Sequence, residues 1–340
     1  MIKIPNVFRI ILILLPVIMV TETCKKTSNQ IPWPEGFTGK FAISTVKMTT
    51  IAWAVYLLHE NGFTQLSTGG NLVFPSCQWS RDGSRLLIDL SDGLTFFRIA
   101  DSDGNVLKEI EGCSPIFSQD GTRIAYLGWD YGGTHDRMIY TVNASGTDSL
   151  VFGRIPPSGF TLEEWSPDRS KITFSTRIWH IDSVGFADAN GYTVFMKGSG
   201  PVWSGDGSGI YFFNDSSLWK YVLSDSSVGK VVDLGAVQEF YSFGWSPDKS
   251  RKAYTLFEAN KGNIYVVKMD GSAPVRLTDA PDNCWYLYPC WSTDGSRIAC
   301  HDGKSLWIMN SDGSHPVSMT IVPEVNGLPI VGTLQEFDWY

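Results

Sequence analysis

One short sequence returns six times along this chain, and it limits the possible folds more than any other feature. The copies are Trp79-Ser80-Arg81-Asp82-Gly83-Ser84, Phe117-Ser118-Gln119-Asp120-Gly121-Thr122, Trp165-Ser166-Pro167-Asp168-Arg169-Ser170, Trp203-Ser204-Gly205-Asp206-Gly207-Ser208, Trp245-Ser246-Pro247-Asp248-Lys249-Ser250 and Trp291-Ser292-Thr293-Asp294-Gly295-Ser296. Their aromatic positions are 38, 48, 38, 42 and 46 residues apart. A unit recurring at a few tens of residues is a supersecondary piece that cannot bury its own faces, so its copies have to stack.

Each unit reads as four strands. In the fifth, Tyr241 to Trp245 is followed by Lys252 to Leu256, Asn263 to Val267 and Val275 to Thr278, with Asp270-Gly271 between the last two. Asp-Gly turns flanked by β-branched and aromatic alternation are strong hairpin signals. Four strands per unit at this period predict an all-β fold, a β-propeller of four-stranded blades. Gly39 to Ser44, Ile51 to Leu58 and Phe63 to Leu66 read as second, third and fourth strands with no first. Leu334 to Tyr340 reads as a first strand with no successors, and Trp339 lies 48 residues after Trp291. A seventh blade assembled from both ends is therefore expected, because it removes two free sheet edges. Six blades with an N-terminal appendage is the alternative.

The start of the chain differs in kind. Lys3 and Arg9 precede the apolar run Ile10 to Val20, a pattern that fits an export signal and is short for a membrane span. Cys24 follows, and its place resembles that of the lipidated cysteine of bacterial lipoproteins. The expected organisation is an export signal over 1–23, a tether over 24–36 and one propeller domain over 37–340. The expected location is the cell envelope, periplasmic or surface-facing, with a lipid anchor at Cys24; an uncleaved anchor and simple secretion are the alternatives. A net charge of -8 argues against a nucleic-acid partner.

The repeats resemble the TolB-type propeller repeat, a WD-like family whose blades carry Trp-Ser-Pro-Asp-Gly before a short apolar strand. The copies at Trp165 and Trp245 depart from it by replacing the glycine with Arg169 and Lys249. The resemblance covers about residues 37 to 340. It implies the fold and leaves function open, because propellers of this family serve as interaction scaffolds, as parts of peptidases and as parts of carbohydrate-active enzymes.

Most candidate sites have a plain structural reading. The repeated aspartates cap their own turns, and the repeated aromatics pack blade against blade. Asp101-Ser102-Asp103-Gly104-Asn105 looks like the opening of a calcium loop, but position twelve is Gly112 where an acid should close it. There is no Gly-x-Ser-x-Gly elbow, and the five histidines show no metal-ligand spacing. Gly205 to Gly209 is a hairpin turn, since no helix follows it. No cofactor or metal is expected. Cys290 should lie opposite Ala299, pointing away from Cys300, whereas Cys284 and Cys300 approach the same end of a blade and could bridge.

Binding would sit where the second-to-third-strand loops and the blade-to-blade connections converge around the channel. Gly128 to Arg137 is the longest such insertion and carries Trp129, Asp130, Tyr131, His135, Asp136 and Arg137. Trp179 with His180, and Trp285 with Tyr286, are the further candidates on that face. Aromatic platforms beside polar groups suit sugar rings or peptide segments. The expected function is a monomeric, non-enzymatic interaction module that binds an envelope protein or glycan. A carbohydrate- or peptide-processing enzyme with a loop-built site on one face is the alternative.

Overall fold

A computed structural model describes residues 39–47, 52–59, 62–66, 76–91, 95–129, 137–155, 160–178, 181–234, 243–303 and 305–320, with short strands at 324–325, 328–329 and 334–339. It contains seven four-stranded antiparallel sheets. Blade 1 consists of Ser76–Trp79, Arg85–Ser91, Thr95–Asp101 and Val106–Glu111. Blade 2 is Cys113–Phe117, Arg123–Trp129, Arg137–Asn143 and Leu150–Arg154, and blade 3 is Phe160–Trp165, Lys171–Ile178, Ile181–Asp188 and Gly191–Lys197. Blade 4 comprises Ser199–Trp203, Gly209–Asn214, Ser217–Val222 and Val228–Asp233. Blade 5 comprises Phe243–Trp245, Arg251–Glu258, Lys261–Lys268 and Val275–Arg276, and blade 6 Leu287–Trp291, Arg297–His301, Ser305–Asn310 and Val317–Thr320.

Blade 7 closes the ring from both ends of the chain. Leu334–Trp339 is its inner strand, and Phe41–Lys47, Ala52–His59 and Gly62–Gln65 follow in order outwards. Phe41 pairs with Trp339 and Ile43 with Phe337. The six-blade alternative is thereby set aside: backbone donors on Phe41–Lys47 find their partners in the last strand.

The six repeated turns are built alike. In each, the serine hydroxyl donates to the aspartate Oδ1 at 2.6 to 2.7 Å and accepts the amide five residues on, as Arg85 N to Ser80 Oγ at 2.9 Å. The aspartate also accepts the amide two residues beyond it, as Ser84 N to Asp82 Oδ1 at 3.1 Å. The residue after the aspartate takes positive φ, from 64° to 71° at Gly83, Gly121, Gly207 and Gly295. Arg169 and Lys249 hold the same conformation at 60° and 58°. These bonds favour the ionised carboxyl. Those from Ser166, then Ser170, hold Asp168 at about 2; those from Ser246 and Ser250 hold Asp248 at about 2.

Blades meet through the repeated aromatics. Trp79, Phe117, Trp165, Trp203 and Trp291 are buried. The indole of Trp165 donates to the Ile116 carbonyl of the preceding blade, and that of Trp291 to Gly244 at 2.9 Å. Cys290 pairs with Ala299, as the turn register requires. Cys284 and Cys300 share the core between blades 5 and 6, but neither is in a disulfide, so the bridge considered from the sequence is not formed.

Candidate functional site

Antiparallel order puts the first-to-second and third-to-fourth connections of every blade on one face and the remaining connections on the other. The first face, here the turn face, carries the repeated turns. Besides the Ser–Asp turns it carries Asp101, which accepts amides from Asp103 and Asn105 and so closes its own turn. Lys40 of blade 7 reaches this turn through Ser102 O and Asp103. Arg169 of blade 3 reaches Asp120 and Thr122 of blade 2, at 2.8 and 3.2 Å. Arg251 of blade 5 lies over the Trp291 ring of blade 6 at 4.5 Å and bonds Gly295 O and Ser311. A small cleft of about 140 Å³ between blades 3 and 4 opens here, lined among others by Asp168 and Asp206, whose carboxylates are occupied by their own turns.

One pair on this face spans two blades. Glu164 accepts the Trp203 amide of blade 4 at 2.9 Å and pairs with Lys249 of blade 5 at 2.5 Å. Blades 3 and 5 are not neighbours, so the pair passes the inner strand of blade 4. Beside it lies Lys252, fully buried, with Nζ 4.0 Å from the Phe213 ring centroid and 4.6 Å from that of Trp245. Leu86, Ile124, Ile172, Ile210 and Ile298 occupy the same place in the other described copies. Burial pushes the Lys252 ammonium far down, and the Glu163 and Glu164 carboxylates oppose that shift only in part.

The opposite, loop face carries the longer connections. Trp129 ends the second strand of blade 2 and Arg137 begins the third, directly opposite it. Strand structure therefore extends through both residues, and the insertion read from the sequence as Gly128 to Arg137 is a connection over 130–136. The Arg137 guanidinium stacks on the Trp129 indole at 4.8 Å and donates to the Cys113 thiol at 3.8 Å. Tyr140 donates to the Trp129 carbonyl at 3.3 Å, with its ring lying across Gly128. A Cβ at Gly128 would fall 2.8 Å from that ring, so the glycine is what lets Tyr140 hold the strand end. Beside Cys113, the Ser114 amide donates to the buried blade 1 carboxylate Asp89 at 2.9 Å. Trp129 is 38% exposed, and it is the one large exposed apolar residue among those described that does not belong to a fourth strand.

The other sequence candidates separate from this pair. Asp130, Tyr131, His135, Asp136, Trp179 and His180, like Cys24, lie outside the described residues. Trp285 is half-buried and pairs with Gly262 through an isolated bridge. Tyr286 is buried in the blade 5–blade 6 core, edge-on to Trp307 at 5.4 Å, and burial raises its hydroxyl to about 12, with Cys284 a smaller contributor. It is a core residue. His301, stacked on Tyr288 at 5.4 Å, is held neutral by burial, which pushes it down to about 3. Among the described residues no three His, Cys, Asp or Glu side chains gather where an ion could be held.

No protein-family profile matches the chain. The Tol-Pal system protein TolB of Anaeromyxobacter dehalogenans (strain 2CP-C) is 34% identical over 85 residues, 24% of this chain and 19% of the relative. The chain thus spans about a fifth of that relative's length. Among solved structures, TolB from Acinetobacter baumannii aligns at a TM-score of 0.53 and 15% identity, covering 92% of this chain and 68% of that one. The fold is that of a TolB-like propeller. The ring is shared more widely. An oligogalacturonate lyase in complex with manganese aligns at a TM-score of 0.54 and 17% identity over 82% and 85% of the two chains. A prolyl endopeptidase aligns at 0.60 and 13% over 87% and 50%. At these identities the likeness concerns the TolB-type fold alone, and the site has to carry the function.

Proposed function

We propose that the protein is a cell-envelope propeller that acts as an interaction module, binding a protein or glycan partner on its loop face. The observation that carries this reading is the division of labour between the two faces. Among the described residues the carboxylates of the repeated turns close those turns, whereas the loop face presents an exposed indole with a guanidinium over it. Trp and Arg are the residue types that most often anchor interfaces. The export-type leader and the likeness to a Tol-Pal system protein support the envelope as location. Cys24 is the proposed lipid attachment point, followed by a tether over 25–36.

Two experiments test this. Cys24→Ser should release the protein from membranes without changing its melting temperature, because the tether precedes the ring; unchanged fractionation would remove the lipid anchor. Trp129→Ala combined with Tyr131→Ala should leave melting nearly unchanged and weaken capture of envelope proteins or arrayed glycans. Full capture by that double variant would remove the loop face from the binding reaction.

A further inference from the structure

We infer that Trp129 and Arg137 form the anchor for an acidic peptide segment of a partner protein, with the Arg137 guanidinium receiving a carboxylate. The inference rests on the proposed use of the loop face and names the chemistry that face selects.

Three features of the pair lead there. First, the guanidinium is positioned in advance. It sits at the first residue of a strand, stacked on an indole whose strand end is held by Tyr140, and its Nη1 rests on Cys113. A side chain already ordered loses little freedom when it binds. Second, its hydrogen-bonding capacity is largely unspent. Guanidinium has five N–H donors, and among the described residues its one acceptor is a thiol at 3.8 Å, the weakest acceptor type present. Arg123, Arg169, Arg251 and Arg276, by contrast, each bond oxygen acceptors. The N–H donors not given to Cys113 can meet a carboxylate with two parallel bonds, a geometry that suits the planar guanidinium. Third, the arrangement favours a peptide over a sugar. One face of the indole, the surface on which a pyranose would stack, is already covered by the guanidinium. What remains is a fork of donors with an apolar border, which complements an acidic side chain on an extended segment.

The chain as a whole carries -8, so a generally acidic partner is repelled except where a cation is placed. Asp89 of blade 1 is buried and accepts the Ser114 amide.

The test uses the full chain and two labelled probes, a hexaglutamate peptide and its hexaglutamine counterpart, with oligogalacturonate as a third. Fluorescence anisotropy should show hexaglutamate binding that weakens with salt, and no hexaglutamine binding. Arg137→Gln and Trp129→Ala should each weaken it by about tenfold or more, and Arg137→Lys should recover only part of the loss, because an ammonium cannot make the paired bonds. Arg169→Gln on the turn face should bind as the parent does. No hexaglutamate binding by the parent, or equal binding by Arg137→Gln, overturns the inference. Arg137-dependent binding of the oligogalacturonate but not of hexaglutamate overturns the assignment to peptide while leaving the loop face in use. A bulky label on Asn260→Cys, at a loop-face turn, separates the two levels of the reading. If that label blocks binding that Arg137→Gln leaves intact, the loop face stands and Arg137 falls. If only a label on Asp312→Cys of the turn face blocks binding, both fall.

Discussion

Replacing Lys249 with glycine sets two effects of known sign against each other. Four of the six repeated turns have glycine there, and Lys249 adopts a φ of 58° that suits glycine better. Relief of that strain is worth about 1 kcal/mol. Against it stands the tie to Glu164. The two side chains are 22% and 14% exposed, so removing the lysine strands a mostly buried carboxylate whose remaining bond is to the Trp203 amide. Breaking a fully buried pair costs about 3 kcal/mol or more, and the residual exposure here reduces that to about 2. Lys249→Gly should therefore be destabilised by about 1 kcal/mol. Arg169→Gly is the internal control. It relieves the same strain but loses a pair whose members are 48% and 44% exposed, worth under about 1 kcal/mol, so it should be neutral or slightly stabilised. Urea denaturation of both variants, with Glu164→Gln and the double variant completing a cycle, measures the difference. A Lys249→Gly protein more stable than the parent, or equal shifts at the two sites, would refute the reasoning.

Three further outcomes are expected. Deleting 334–340 removes the inner strand of blade 7 and exposes two edges, so cooperative melting should be lost or replaced by aggregation; a parental melt would mean that the closure contributes nothing. Lys252→Ile installs the residue type of four of the other five copies and removes a fully buried amine, at the loss of its contacts with the Phe213 and Trp245 rings; it should raise stability by about 1 kcal/mol in thermal or urea melts, and a loss would show that those contacts outweigh the cost of burying the amine. Asp168 and Asp248 have folded pKa values near 2, below the ordinary value of about 4, so their contribution is complete above about pH 4 and fades as pH falls towards 2. Asp168→Asn should accordingly flatten the loss of melting temperature between pH 4 and 2, and an unchanged slope would remove that turn from the acid response.

Much of the fold was legible because it is local and repeated. The Asp-Gly turns, the alternation around them and the spacing of Trp291 and Trp339 were enough to expect seven blades and closure from both ends. Register across a short turn was equally legible, as Cys290 opposite Ala299 shows. Features involving separate blades were not. Nothing in the spacing says that Lys249 reaches Glu164 past an intervening blade, although the loss of glycine at 249 marked the place. Lys252 could have been found by aligning the copies, since it alone puts a charge where five others have Leu or Ile. Tyr286 was assigned to a binding loop because the sequence around it reads as irregular; the Gly262 bridge folds that connection back onto blade 5 and buries the ring. Trp129 was correctly placed on the loop face, but its stacking partner lay eight residues away, at the far end of the insertion, and emerged only from the strand pairing.

The claim that the loop face binds and the turn face does not is tested most directly by photo-crosslinking in the producing cell. A photoreactive phenylalanine analogue is placed at Asp215 and Asn260 on the loop face, and at Gln119, Ser224 and Asp312 on the turn face. Irradiation should give a discrete adduct from the loop-face positions and none from the turn face. Adducts formed only from Gln119, Ser224 or Asp312 would contradict the account.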